Sequence, residues 1–298
     1  VKVTLNKPGS YILAISGGVD SMVLLDLVSK SATSQQDLVV AHLNHGIRHD
    51  SYIDLRTVES AAQDLGLVFE SKTISLGAAV SEDLARIVRY QFLREIKDKH
   101  QAQAIITAHH QDDLIETAII NIIRGTNRKG LSAINSHDDI IRPLLDYPKQ
   151  DLIIYATNND LIWREDSTNA NQNYLRNYVR ANITSRLNVR GRSQLIEIIE
   201  KVTTINSELD ELVTAMLIAQ TEHNHVDRQW FSSLPHNAAR EVLAVWLRQN
   251  NIRGFDKKTL ERLVVAAKVA GCGRSFPVLQ GHSLEIGLNN LALNYVER

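Results

Sequence analysis

The stretch richest in chemistry is Ser16-Gly17-Gly18-Val19-Asp20-Ser21. Small residues at 16 to 18 let backbone N–H groups come close to an anion, because no side chain shields them. An apolar run (YILAI, 11–15) precedes the loop and a helical pattern follows it. The partial positive charge of a helix N-terminus therefore falls on the same spot. Ser16 and Ser21 can donate hydroxyl hydrogen bonds, and Asp20 can hold a Mg²⁺ that shares the phosphate oxygens. The loop is neither a Walker motif, since GxxxxGK[ST] is absent and it has no lysine, nor the GxGxxG dinucleotide fingerprint. Two glycines alone would be an ordinary strand-to-helix turn capped by Asp20. The whole hexapeptide in this setting points to phosphate.

A second cluster follows at His109, His110, Asp112, Asp113 and Glu116. Its histidines and acids have the composition of a metal site, and on those residues alone a zinc hydrolase stays open. Asp113 and Glu116, three apart at a helix start, share one face. There they can clamp an ammonium group or a Mg²⁺, or simply compensate the helix dipole. His42 and His45 have no carboxylate or thiolate close by, which argues against a metal pair. Arg86 and Arg89 share a helical face and can pair with Glu82 and Asp83. Arg124 closes an apolar helix before Gly125, where its charge suits the helix C-terminus. Arg176 and Arg180, four apart, suit two phosphates of an RNA. They belong to a basic stretch, 164–192, that also holds Arg164, Arg186, Arg190 and Arg192 against only Glu165 and Asp166. That stretch is either a phosphate-binding strip or a solvated helix face.

The elements that must position these residues alternate. Strands are expected at 11–15, 38–43, 68–74 and 104–108, and helices at 20–30, 52–65, 82–99 and 113–123. This βαβα order predicts a doubly wound parallel sheet covered by helices on both faces, with ligands beyond the carboxyl ends of its strands. The first domain is placed at 1–190. From 193 to 298 a smaller, mainly helical domain is expected. Leu195, Ile198, Val202, Ile205, Leu209, Leu212 and Met216 give one long helix a seven-residue pattern, expected to pack on the chain's own helices. Helices follow at 237–249 and 257–270, the latter capped by Asp256, then a β-hairpin over 275–296 turning at Asn289-Asn290.

Composition narrows the class. Of the 298 residues, 44% are hydrophobic and 22% charged, as in a folded globular protein. No apolar run approaches the ~18 residues of a membrane span, and the first ten residues lack a signal core. With one cysteine, Cys272, no internal disulfide can form, and a cytoplasmic protein is expected. Lys+Arg total 33 against 34 Asp+Glu, so net charge gives no hint of a nucleic-acid partner.

SGGVDS is the signature of the PP-loop ATP pyrophosphatases, and four further segments resemble the tRNA-lysidine synthetase family within them. These are HLNHGIR (42–48), LARIVRY (84–90), TAHHQDDLIET (107–117) and WREDSTN (163–169) with RNYVR (176–180). The likeness runs from about residue 11 to 190 and recurs more weakly beyond; five motifs in order are specific where one would not be. It implies an adenine-nucleotide α-hydrolase-like fold and an ATP-dependent ligation of free L-lysine to the 2-position of the wobble cytidine in tRNA(Ile) with a CAU anticodon, releasing AMP and pyrophosphate. It implies that residues 16–21 hold ATP, that Asp20, Arg86 and Asp113 are catalytic, and that Asp20 is a Mg²⁺ ligand. Lysine falls to Asp113 and Glu116, and tRNA to Arg124, Arg176, Arg180 and the C-terminal domain. The longest members carry an extra final domain that is not expected here, and a homodimer is left open. Related tRNA thiolases usually need paired cysteines, and amidotransferase members a glutaminase segment or ammonia, neither of which this chain offers. A non-catalytic ATP-binding sensor is the alternative of a different class.

Overall fold

Short apolar runs between amphipathic segments give this chain its first sheet. The computed structural model describes residues 1–5, 7–44, 46, 51–74, 82–126, 128–131, 134, 139–164, 175–222, 225–279 and 281–295, the side chains of residues 82, 83 and 222 excepted. Two compact units result, Val1–Val202 and Thr203–Arg298.

In the first unit the strands are β1 (Gly9–Ala14), β2 (Gln36–Asn44), β3 (Val68–Thr73), β4 (Ala104–Thr107) and β5 (Ile140–Ile141). They form one sheet in the order β3-β2-β1-β4-β5, every pairing parallel. The helices are α1 (Val19–Ser31), α2 (Ser51–Asp64), α3 (Glu82–Lys99), α4 (Gln111–Ile123), α5 (Lys149–Asn158) and α6 (Leu175–Asn182). Side chains alternate across the sheet, as strand geometry requires. Leu13, Val40 and Ile106 enter one core with Leu24 and Leu27 of α1, Val58 of α2 and Leu152 of α5. Ile12, Val39 and Ile105 enter the other with Tyr90, Leu93 and Ile96 of α3. The chain lays β2 and β3 to one side of β1, and β4 and β5 to the other. The order thus reverses between β1 and β4, whose carboxyl ends open the crevice that parallel sheets use for ligands.

Helix α7 (Val189–Ala219) spans the division between the units. The second unit holds a five-stranded antiparallel sheet in the order β6-β7-β10-β9-β8: β6 (Thr221–Glu222), β7 (His225–Asp227), β8 (Arg274–Pro277), β9 (His282–Ile286) and β10 (Asn290–Tyr295). Helices α8 (Arg228–Ser233), α9 (His236–Gln249) and α10 (Lys257–Val269) share its core through Phe231, Leu243, Trp246, Leu263 and Leu291. Asp256 caps α10 as expected, accepting from the Thr259 N–H at 2.7 Å. The expected hairpin exists as β9 and β10. It is the middle of a sheet rather than a free pair, because β7 and β8 add at either side. No helix among the described residues is long and apolar enough to cross a membrane.

Strand β5, with two residues, is too short to carry a pattern, and α5, α8, β6 and β7 were not foreseen either. One expectation is corrected. The heptad face of α7 is not its buried face: Ile198, Ile205, Leu209, Leu212 and Met216 all stand exposed. The buried apolar positions are Ile199 in the first unit and Leu217 in the second, with the buried Asn206 between them. At 3.6 residues per turn these lie roughly 100° around the helix from the heptad stripe, so α7 carries two apolar stripes and only one is covered. Leu217, 1% exposed, should cost about 2–5 kcal/mol as Leu217→Ala. Leu212, 62% exposed, should cost under about 1 kcal/mol as Leu212→Ala. Urea unfolding of both variants checks this, and an equal loss in the two would return the heptad stripe to the core.

Candidate active site

The loop after β1 has its carbonyl side tied down. The Ile15 carbonyl accepts from His42 Nδ1 at 2.9 Å, and the Gly17 carbonyl from the Arg164 N–H at 3.0 Å. The Gly18 carbonyl accepts from Ser21 Oγ at 2.8 Å and from the Met22 N–H at 3.0 Å. Ser21 Oγ in turn accepts from the N–H groups of Ser16 and Gly17, at 3.2 and 3.1 Å. Two of the loop donors expected to face an anion are therefore spent inside the loop. What remains is Gly18 N–H, which makes only a long 3.5 Å contact with Ser16 Oγ, and the first turn of α1. The N-cap there is Gly18, which has no side chain to satisfy that turn. Gly17 sits at φ +92°, a conformation that any other residue would adopt under strain.

The wall opposite is the start of α4, reached from β4. His110 is its N-cap: Nδ1 accepts from the Asp112 N–H at 3.2 Å, while Asp113 Oδ2 accepts from the His110 N–H at 3.1 Å. Accepting at Nδ1 places the first ring proton on Nε2. That atom lies 3.6 Å from Asp20 Oδ2 and 3.4 Å from Asp113 Oδ2. Asp20 and Asp113, 93 residues apart in the sequence, thus flank one imidazole. His109 Nδ1 meets Thr107 Oγ1 at 2.8 Å. Among the described residues no group of three or more His, Cys, Asp or Glu is arranged to hold a metal ion, which removes the zinc reading. The two walls enclose a cleft of about 350 Å³ whose lining includes Ser16, Asp20, Ser21, His42, His109 and Asp113.

Glu116, one turn further along α4, is 1% exposed. Arg180 of α6 grips it with a two-pronged bond, Nε to Oε1 at 2.7 Å and Nη2 to Oε2 at 3.0 Å. Arg176 gives Nη2 to Thr117 Oγ1 at 3.0 Å and also lines the cleft. The two arginines read as an RNA pair thus turn onto α4. Arg86 stacks on Tyr90, 5.0 Å from the ring centre, and it is Arg89 of that face that lines the cleft. Arg124 is the exposed C-cap of α4, its N–H bonded to Ile120 O. His45, Ile47 and Arg48, residues 165–169 and the side chains of Glu82 and Asp83 lie outside the described residues.

Sequence reasoning missed Lys149. It opens α5 after Pro148, giving its backbone N–H to Asp112 Oδ2 at 2.8 Å and Nζ to Asp20 Oδ2 at 3.2 Å. The signal was present: a proline at a helix start, then Leu152 and Ala156 four apart. Arg192 of α7 also pairs with Asp112.

A parallel sheet with an uncapped helix start at its switch point and a carboxylate wall opposite defines a nucleotide-binding α/β domain. The PP-loop domain family matches residues 2–187, and the chain belongs to it. Among its relatives is the tRNA(Ile)-lysidine synthase of Chlorobaculum tepidum, 33% identical over 213 residues, 68% of this chain and 64% of that protein. The enzyme of the same name from Enterococcus faecalis is 36% identical over 57% of this chain and 39% of its own length. That from Legionella pneumophila is 29% identical over 85% and 61%. The chain thus spans less than two thirds of each of these relatives. Among solved structures it is similar to the U34-tRNA thiolase NcsA from Methanococcus maripaludis, with a TM-score of 0.57 at 15% identity, over 67% of this chain and 73% of that one. That is a likeness of fold alone.

Of the three histidines around the cleft, His110 titrates in the opposite direction to His42 and His109. Burial pulls His110 down, but Asp20 and Asp113 outweigh it and hold the ring above the ordinary 6.5. Burial dominates at His42, which falls below 6.5, and at His109, which it lowers to about 3 against the pull of Asp113, with Arg142, Arg86 and Arg176 adding to the fall. Stability from His110 is complete below 6.5 and drains as pH rises through its folded value. For Asp20 burial pushes upward, but His110 and Lys149 prevail and leave it below 3.8. Its contribution is present above 3.8 and lost as pH falls through the folded value. In an NMR titration of the ring protons, His110 should have a midpoint above 6.5 and His42 one below it, with His109 neutral down to about pH 4. A His110 midpoint under 6.5 would contradict this geometry.

Proposed function

We propose that the chain is a tRNA(Ile)-lysidine synthetase, working in the cytoplasm on ATP, free L-lysine and tRNA(Ile) with a CAU anticodon. The observation that carries this reading is a single cleft lined by the phosphate loop on one side and the Asp113 carboxylate on the other. The shared name of the bacterial relatives supports the choice of substrate. In the first step the 2-carbonyl oxygen of the wobble cytidine attacks the α-phosphorus of ATP and pyrophosphate leaves. In the second the neutral ε-amine of lysine attacks C2, and AMP departs with the former carbonyl oxygen.

Residues 16–21 hold the phosphates in this scheme. The Gly18 N–H and the first turn of α1 stabilise charge that grows on the departing pyrophosphate. Mg²⁺ fits at Asp20, whose Oδ1 is buried without a hydrogen-bond partner while Oδ2 faces Lys149 and His110. One carboxylate oxygen with phosphate and water oxygens is how nucleotide sites take this ion, and it would neutralise phosphate charge. Asp113, which lines the cleft, orients the lysine and receives the amine proton, and the buried Glu116 acts from behind it on α4. Burial lifts the Glu116 carboxyl above the ordinary glutamate range, and the Arg180 fork opposes that rise. Arg86 meets the phosphates or the activated base and Arg124 serves the tRNA backbone; Arg176 meets the tRNA where it lines the cleft, whereas Arg180 is committed to Glu116. Residues 1–190 form the catalytic domain and 193–298 the tRNA grip; a homodimer is compatible with the scheme. Sulfur transfer is disfavoured, since Cys272 is the only cysteine in the chain.

The test incubates the protein with ATP, lysine and the CAU tRNA. AMP release that needs both lysine and tRNA is the expected result, whereas ATP binding without turnover would replace the enzyme by a sensor. Asp20→Ala should abolish AMP release. Asp113→Asn should lower kcat by on the order of 10²-fold or more, the usual weight of a general base. Full activity in either variant would remove that residue from the mechanism.

A further inference from the structure

Arg164 sits in a basic stretch that sequence alone offers to RNA, yet its own contacts point into the first unit. Its backbone N–H bonds the Gly17 carbonyl at 3.0 Å. Its side chain, 27% exposed, places Nε 3.2 Å from Oδ1 of Asp54 on α2, which is 10% exposed. Asp54 also backs the loop from below: a side-chain carbon added at Gly17 would lie 3.6 Å from Asp54 Cβ and 3.4 Å from Val58 Cγ2.

We infer that Arg164, braced by Asp54, is a positioning residue that aims the Gly18 N–H into the phosphate site. The inference rests on the reading of residues 16–21 as a phosphate loop. No peptide bond among the described residues is cis. In a trans peptide the carbonyl of one residue and the N–H of the next point in opposite directions. A donor fixed on the Gly17 carbonyl therefore turns the Gly18 N–H the other way. Without that donor the Gly17–Gly18 peptide, flanked by two residues without Cβ atoms, can rotate at little steric cost. The rotation would put an acceptor where a phosphate needs a donor. The ion pair holds the backbone of residue 164 in place, with one partner on α2 and the other at the end of the segment that follows α5. Three stretches distant in sequence, at 17, 54 and 164, act as one clamp.

The experiment measures equilibrium binding of radiolabelled ATP to the full chain, with thermal unfolding and Michaelis constants for ATP and lysine. The variants are Asp54→Asn, Arg164→Met and the conservative Arg164→Lys. Asp54→Asn and Arg164→Met should each weaken ATP by about tenfold, the loss expected for one hydrogen-bonding arrangement around a charged ligand. The lysine constant should move less than twofold, and Arg164→Lys should recover most of the ATP affinity. Unchanged ATP affinity in both folded variants overturns the inference, and so does an equal weakening of ATP and lysine, which would mean general loosening. Wild-type protein that binds ATP but releases no AMP with lysine and tRNA would refute the proposed activity, and the clamp would then stand or fall on the ATP affinities of the variants. Wild-type protein that binds no ATP sinks both.

Discussion

A site for phosphate must offer donors and hide acceptors, and a peptide chain carries both on every residue. Because each trans peptide sets its N–H opposite its C=O, the molecule can show one only by anchoring the other. Around residues 15–18 that anchoring is done by His42 from β2, Arg164 after α5 and Ser21 within α1. Strand order decides who is available: β2 lies beside β1, so His42 reaches the Ile15 carbonyl, and α5 packs over α1, so the segment after it returns to Gly17. The apolar packing on that face is thus what keeps a few N–H groups aimed.

The charged half of the cleft obeys a related constraint. Burying a carboxylate is costly unless cations or donors surround it, and here the compensation interlocks. Asp20 faces His110 and Lys149, Asp112 takes the Lys149 N–H and Arg192, and Asp113 caps α4 beside His110. His110 is held above its ordinary value by Asp20 and Asp113 and in turn helps to hold Asp20 below the usual range, whereas His109, one residue earlier, is kept neutral by burial, with nearby arginines adding to the effect. Adjacent residues thus play opposite electrostatic parts because they project to different sides of the turn into α4.

Much of this was legible in the residues themselves. Alternating apolar runs and amphipathic segments dictated the parallel sheet, and Gly17-Gly18 between a buried strand and a helix dictated a tight strand-to-helix bend, because local sterics and periodicity need no distant partner. The acid pair on α4 and the cap at Asp256 were legible for the same reason. Only tertiary structure could decide which side of a residue does the work. It set Arg180 across the buried Glu116, brought Lys149 to Asp20 across 129 residues, and gave α7 a covered stripe beside its exposed heptad. It also tied Arg164, a candidate RNA contact, to the Gly17 carbonyl and to Asp54. Those outcomes depend on which elements become neighbours, and a long-range juxtaposition leaves no period or spacing in the chain from which it could be read.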